Sequence, residues 1–398
     1  MHVNTPPLGW NTWNTFGEKI NEELIMQSAD AMVEQGLLAA GYNYLVIDDI
    51  WHLKERGADG RMVADPEKFP HGMKYVADYV HSKGLKFGMY SCAGYLTCAG
   101  YPASYGYEWL DAQTFAEWGV DFLKYDFCFH PMTIRPDYLY KRMALALANC
   151  GRDILFSACS WGSENTKQWI KETGADMWRS TGDINDSWES VKALSQSQLQ
   201  VQEYNGKGCF NDMDMLIVGM NGKGNVGFKG CTTEEYRTHF SLWALLNSPL
   251  MIGCDIRDMD DATKEILLNR EVIAVNQDPK GSQPFFANNF MWTPNTSRNS
   301  HTEPHFEKYP LDVPIIAKYL DNGDIALGVF NFTDETANRW QMTVTCDNLG
   351  LPMNCGKDFE AVDLWTGETI PSFNGTLMID SLEAHACRLF RVKIIDKK

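Results

Sequence analysis

The sequence predicts an α/β protein: a (β/α)8 TIM barrel followed by a C-terminal antiparallel β-sandwich. Three observations carry that reading. Short apolar runs alternate with amphipathic stretches in eight β-then-α units. Beyond Gln277 the pattern changes to short β-prone runs separated by turns such as "DNGD" and "WTGE". The length, 398 residues, exceeds one ordinary core but accommodates a large barrel and a second domain. The expected boundaries are 1–280 for the barrel, 281–312 for a connector and 313–398 for the sandwich.

Strands are expected near Leu8–Asn11, Tyr44–Asp49, Lys86–Tyr90, Phe122–Asp126, Ile154–Cys159, Met177–Ser180, Cys209–Phe210 and Leu250–Gly253. Between them "NEELIMQSADAMVEQGLLAAG" and "DAQTFAEWG" place apolar residues three and four apart, the helical spacing. "TTEEYRTHFSLWALLNSP" opens on a cap-like Thr and acids, turns apolar, and stops before Pro249. The stretch "SQPFFANNFMWTPNTSRNSHTEPHFEKYP" is rich in Asn, Ser, Thr and Pro and reads as connector. "VPIIAKYL", "DIALGVFNF", "RWQMTVTC", "EAVDLWTG" and "HACRLFRVKI" then read as sandwich strands.

Charge and composition narrow the function. With 35 basic against 52 acidic residues the net charge is −17, which argues against nucleic acid or an anionic membrane as partner, since both need a basic face. No run reaches the ~18 apolar residues of a membrane span. The opening "MHVNTPPLGWNTWNTF" lacks a basic segment followed by an apolar one, so the expected location is cytoplasmic, or secreted if a leader precedes Met1. Eleven cysteines, an odd count, cannot all pair within the chain, and none has zinc-ligand spacing. No metal or cofactor is expected. A large acidic barrel is compatible with a homo-oligomer.

In a barrel of this kind the chemistry sits where strands end. Those ends carry Asp48, Asp49 and Trp51; Tyr90; Lys124, Asp126 and Cys128; Ser160 and Trp161; Arg179 and Asp183; Asp212 and Asp214; and Asp255. A lone Asp at a strand end is commonly a helix cap. Capping does not account for so many acids set among aromatic residues and buried cations. Carboxylates with aromatics, without a metal or phosphate motif, point to glycoside hydrolysis, which needs two carboxyl groups flanking the scissile bond. Asp126 suits the nucleophile and Asp183 the general acid. Strand alternation puts Lys124 on the face of Asp126, and the lysine is expected to keep that carboxylate ionised. "GKGNVG" at 222–227 matches a dinucleotide fingerprint but does not open a helix, so it reads as a loop across the barrel mouth. Nine scattered histidines show no Ser-His-Asp spacing.

Together "LGWNTW", "IDDIW", "TCAGYP", "DAQTFAEWGVDFLKYD", "RSTGDI", "NDMDML" and "SPLMIG" resemble the melibiase-type α-galactosidases, glycoside hydrolase family twenty-seven, from about Pro7 to Asp278. The resemblance implies a retaining double displacement on terminal α-D-galactosides, with galactose-terminated oligosaccharides as substrates. By motif it assigns Asp126 as nucleophile and Asp183 as acid/base. It places Asp48 and Asp49 on the 4- and 6-hydroxyls, Lys124 and Arg179 on other hydroxyls, and Trp13, Tyr90 and Asp212 in the pocket wall. Cys98 and Cys128 match a pair that is bridged in many members. A second family bridge is lost, because Ala175 stands opposite Cys159. Ser160 and Ser163 stand beside the sugar's 2-position, where the α-N-acetylgalactosaminidase branch also has small residues. That activity is the alternative; a β-L-arabinopyranosidase or a non-catalytic galactose-binding protein stands further off.

Overall fold

Parallel pairing takes up each expected run in whole or in part: Tyr44–Asp49 is strand only as far as Val46, and Cys209–Phe210 gives way to Phe210–Asp212. The computed structural model describes residues 3–288, 312–352 and 355–397, which fall into two compact units, 1–281 and 282–398. In the first unit the strands are β1 (Leu8–Asn11), β2 (Tyr44–Val46), β3 (Lys86–Cys92), β4 (Phe122–Asp126), β5 (Leu155–Cys159), β6 (Met177–Arg179), β7 (Phe210–Asp212) and β8 (Leu250–Ile252). They form one eight-stranded sheet in the order β7-β6-β5-β4-β3-β2-β1-β8, the strands pairing in parallel. The sheet closes on itself through a single parallel bridge, Leu216 to Ile252, just beyond β7. Leu216 N–H donates to the Met251 carbonyl at 2.7 Å, and Gly253 N–H donates to the Leu216 carbonyl at 3.0 Å.

The helices begin where the caps predict. Asn21 accepts from the Leu24 amide at the head of Glu22–Glu34. Thr232 and Glu235 form a reciprocal capping box at the head of Thr233–Leu245. The alternation of β4 then sorts its side chains. Leu123 and Tyr125 point outward and are fully buried; the Tyr125 ring meets Tyr140 of helix Pro136–Ala148 edge-on at 5.9 Å. Phe122 joins Tyr44, Val46, Leu155, Met177, Met215 and Met251 in a buried apolar cluster. Two and four residues further along β4, on the same face, come Lys124 and Asp126. One face of one strand thus passes from apolar filling to two charged side chains in five residues, and the charged end is the carboxyl end.

The second unit contains a six-stranded antiparallel sheet. Its strands are Phe285–Phe286, Ile315–Tyr319, Ile325–Phe330, Lys357–Asp363, Thr369–Pro371 and Cys387–Asp396. Two two-stranded pieces, Ala337–Asn338 with Ser381–Leu382 and Thr343–Thr345 with Thr376–Met378, complete it. Their apolar faces enclose a core that includes Ile315, Leu327, Val344, Phe359, Leu377 and Phe390. The short strand Phe285–Phe286 lies in the stretch read as connector, yet it pairs with Ala317 and Ile316. Two aromatic residues amid polar ones show no alternation long enough to mark a strand. Residues 289–311, the rest of the expected connector, lie outside the described residues. Among the described residues no helix is long and apolar enough to cross a membrane.

Candidate active site

Asp126 is the last residue of β4 and is 6% exposed. One carboxylate oxygen accepts the Phe127 amide at 3.0 Å, and the other accepts the Tyr90 hydroxyl at 3.2 Å. Burial pushes its pKa up to about 6; the Lys124 charge pulls it down and Asp48 pushes it up again. Burial, reinforced by the Asp126 charge, holds the Tyr90 phenol well above its ordinary value, so it remains a proton donor. Trp51 fixes the strand beneath by donating its indole N–H to the Tyr90 carbonyl at 3.0 Å.

The expected partnership of Lys124 with Asp126 is corrected here. The ammonium donates to Asp48 Oδ2 at 2.7 Å and lies 5.3 Å from the Tyr90 ring centroid. Residues two apart on a strand share a face but stand roughly 6.6 Å apart along it, so a carboxylate arriving from another strand end competes successfully. Burial opposes the Lys124 charge, but Asp48, Cys159 and Asp126 overcome it and its pKa rises. The lysine therefore moderates Asp126 without keeping its pKa low.

Asp48 and Asp49 are both 2% exposed. Asp48 Oδ2 also accepts from Asn11 at 2.8 Å, and its Oδ1 accepts the Asp49 amide at 2.9 Å. Asp49 accepts the Ile50 amide at 2.7 Å and the Ala99 amide at 3.1 Å. Burial raises its pKa against the pull of those amides. Asp48 Oδ2 is filled by Asn11 and Lys124, while its Oδ1, bonded only to the Asp49 amide among the described residues, retains a lone pair for a hydroxyl donor. The Ala99 loop is fastened to the end of β4 by a disulfide between Cys98 and Cys128. One oxygen of Asp126 and the two sulfurs lie within 4.8 Å of one another. Those sulfurs are joined in the bridge, so no thiolate is available there for a metal.

On the far side Arg179, 5% exposed, ends β6 and sits in register between Cys159 of β5 and Asp212 of β7. Its guanidinium pairs with Asp183 at 2.8 Å and Asp214 at 2.7 Å. The Asp183 side chain is 78% exposed. Asp214, in a left-handed conformation with φ of 82°, accepts the Ile184 amide at 2.7 Å, next in chain to Asp183. Asp212 accepts the Asp214 amide at 2.9 Å; burial pushes its pKa up to about 6, with Arg179 opposing and Asp214 adding. Cys159 is a free buried thiol, in keeping with Ala175 across from it. Ser160 is buried, its hydroxyl 2.6 Å from that of Thr166, and Ser163 donates to the Ser160 carbonyl at 2.6 Å. Trp161 is half-buried with φ of 55°. Trp13 is half-buried at the end of β1, its amide donating to Asn11 Oδ1 at 2.8 Å.

Asn11 was outside the expected site, and Asp214 was expected only as a strand-end acid without a role. Asn11 steadies Asp48, and Asp214 joins Arg179 to the segment behind Asp183. The signal for Asp214 was the second acid of "NDMD". Asp255 belongs elsewhere: Arg257 takes both its oxygens at 2.9 and 2.7 Å. The 222–230 loop is a strap. Asn225 and Val226 donate their amides to the Asn14 carbonyl at 2.7 and 3.2 Å, and Gly222 donates to the buried Asp186 at 2.6 Å.

This arrangement sets several carboxylates around the buried Arg179 and the half-buried Lys124. Such a site accepts hydrogen bonds from hydroxyls and favours positive charge developing on a bound ring. The family model described as alpha galactosidase A matches residues 5–278, and the one described as alpha galactosidase C-terminal beta sandwich domain matches residues 312–392. An α-galactosidase of Cyamopsis tetragonoloba is 43% identical over 97% of this chain and 85% of its own length. The crystal structure of α-galactosidase I from Mortierella vinacea superposes with a TM-score of 0.85 at 34% identity, covering 99% of this chain and 98% of that one. The Saccharomyces cerevisiae α-galactosidase solved with raffinose gives a TM-score of 0.85 at 28% identity, over 98% of each chain. By motif, fold and sequence, the chain belongs to the alpha galactosidase A family of melibiases.

Proposed function

We propose that this chain removes terminal α-D-galactosyl residues from oligosaccharides with retention of configuration, Asp126 serving as nucleophile and Asp183 as acid/base. The observation that carries the reading is the contrast between two carboxyl groups. Asp126 is buried and takes part in no ion pair among the described residues, while Asp183 is open to solvent and held by a buried arginine.

In the first step an Asp126 oxygen attacks the anomeric carbon as the glycosidic C–O bond breaks. Asp183 gives its proton to the departing oxygen, leaving a galactosyl ester on Asp126. In the second step Asp183 takes a proton from water, whose oxygen displaces the ester and restores the α-anomer. Arg179, paired with Asp183 at 2.8 Å, holds that carboxyl group at the site for the second step. Asp214 can keep Arg179 neutralised when Asp183 turns to the substrate for the first. Tyr90 steadies the Asp126 oxygen it touches and prevents idle rotation of the carboxylate. Asp48 and Asp49, carboxyl acceptors fixed by backbone amides just beyond β2, suit the 4- and 6-hydroxyls that distinguish galactose. The names of the relatives and the raffinose complex of the yeast enzyme support galactosides as the substrate class.

The test is the anomer of the first product. Proton NMR of the wild-type reaction on an aryl α-galactoside should show α-galactose before mutarotation. Early β-galactose excludes retention, and no galactose at all excludes the activity. A second reading, α-N-acetylgalactosaminidase, is favoured by one observation: small Ser160, its hydroxyl engaged by Thr166. Side-by-side hydrolysis of the aryl α-galactoside and aryl α-N-acetylgalactosaminide decides between them; faster turnover of the latter reverses the assignment.

A further inference from the structure

Phe129 is an aromatic side chain where the physics disfavours one. It follows β4 by three residues, is 59% exposed, and has φ of 46°. The left-handed region crowds the Cβ of a bulky residue against its own backbone and is disfavoured there. Neighbouring backbone enforces it. The Phe129 carbonyl accepts the Tyr95 amide at 3.1 Å, Cys128 is bridged to Cys98, and Gly94 packs beneath. A Cβ on Gly94 would lie 2.0 Å from the Cys128 carbonyl oxygen and 2.6 Å from that of Phe129. Tyr95 is itself 58% exposed, and its ring is braced edge-on against Tyr105 at 4.8 Å. Burial explains neither ring, yet the backbone that carries both is held in place. Strain held by surrounding structure, with exposed aromatic area beside a reaction centre, is the mark of a ligand contact.

The position selects the ligand. Cys128, next in chain to Phe129, has its sulfur within 4.8 Å of an Asp126 oxygen. The galactosyl ring attacked by Asp126 lies in the polar hollow, so whatever is attached beyond its anomeric oxygen leaves toward the rim. We propose that Phe129 and Tyr95 form a platform for the first sugar of the leaving group, stacking on the apolar face of that ring. The proposal rests on the galactosidase reading above and extends it to the aglycone. Aromatic rings offer such a face at low entropic cost, and a sugar ring presents C–H groups to it while its hydroxyls stay in water.

The platform predicts a selective loss. Melibiose carries a glucosyl leaving group that can stack; α-galactosyl fluoride carries none. Phe129→Ala should lower kcat/KM on melibiose about fivefold more than on α-galactosyl fluoride, a loss of the size expected for one aromatic contact. Tyr95→Ala should do so by a smaller factor. Phe129→Leu, which keeps bulk and loses the ring, guards against a folding defect and should give the same ratio at unchanged Tm. An equal loss on both substrates for Phe129→Leu overturns the platform while leaving the galactosidase reading intact. A wild-type protein inert toward both substrates overturns that reading, and the platform with it.

Discussion

The ends of β4 and β6 carry carboxyl groups of the same chemistry in opposite settings. Asp126 is the terminal residue of a five-residue strand, walled by Tyr90 and the apolar filling below. Asp183 lies on the loop beyond β6, exposed, and is located only by Arg179 and by the Asp214 bond to the next amide. A nucleophile must meet one carbon from one direction, so rigidity serves it. An acid/base must reach a leaving oxygen and later a water, so a short tether and access to solvent serve it. On the proposed assignment, the barrel supplies the first from its sheet and the second from its loops.

The comparison can be broken at several points. The largest effect belongs to Asp126→Asn, which should cost at least about 10⁴ in kcat on every α-galactoside while galactose still binds. Survival of turnover, measured by steady-state kinetics, removes Asp126 from the chemistry. Asp183→Asn should cost about 10²–10³ on poor leaving groups and far less on α-galactosyl fluoride, whose departure needs little acid assistance. Equal losses on both would place Asp183 outside the proton path. Asp214→Asn keeps the volume but weakens the hold on Arg179 and the Ile184 amide; about a tenfold fall in kcat with KM little changed is expected.

The smallest effect has the opposite sign. The folded-state pKa of Asp126, about 6, lies above its unfolded value, so ionisation destabilises the native state. The favourable contribution of the protonated form is lost as pH rises through the interval between the ordinary aspartate value and about 6. At pH 7 Asp126→Asn should therefore raise Tm by about 2–4 °C while abolishing activity. Across the same range, the acid limb of kcat/KM should fall near pH 6, with Asp212 titrating alongside. A limb near 4 would show that Lys124 governs Asp126 after all.

What was legible in the sequence follows from range. Strand alternation and caps are local, so the eight strands, their charged ends and the box at Thr232 could be read directly. Partner choice is not local. Nothing in "LKYD" says that Lys124 reaches Asp48, because that contact joins residues 76 apart across the barrel end. Asp214 was visible as an acid but not as an anchor, since its role depends on a left-handed turn that returns it to Arg179. The strand Phe285–Phe286 was hidden for the same reason, its pairing being the work of residues thirty positions on. Tyr90 was expected as a wall; its hydroxyl bond to Asp126 required knowing the β3–β4 register.

The hoop of strands is joined unevenly. Seven neighbouring pairs meet along ladders, and the eighth junction is a two-bond clasp at Leu216, a few residues beyond Asp212. A sugar bridging Trp13 beyond β1 and Asp212 at the end of β7 would span β8 and the part of the cylinder with least backbone holding it shut. Such a ligand acts as a buckle: its binding energy resists the opening of that join, so occupancy and mechanical integrity of the barrel rise together.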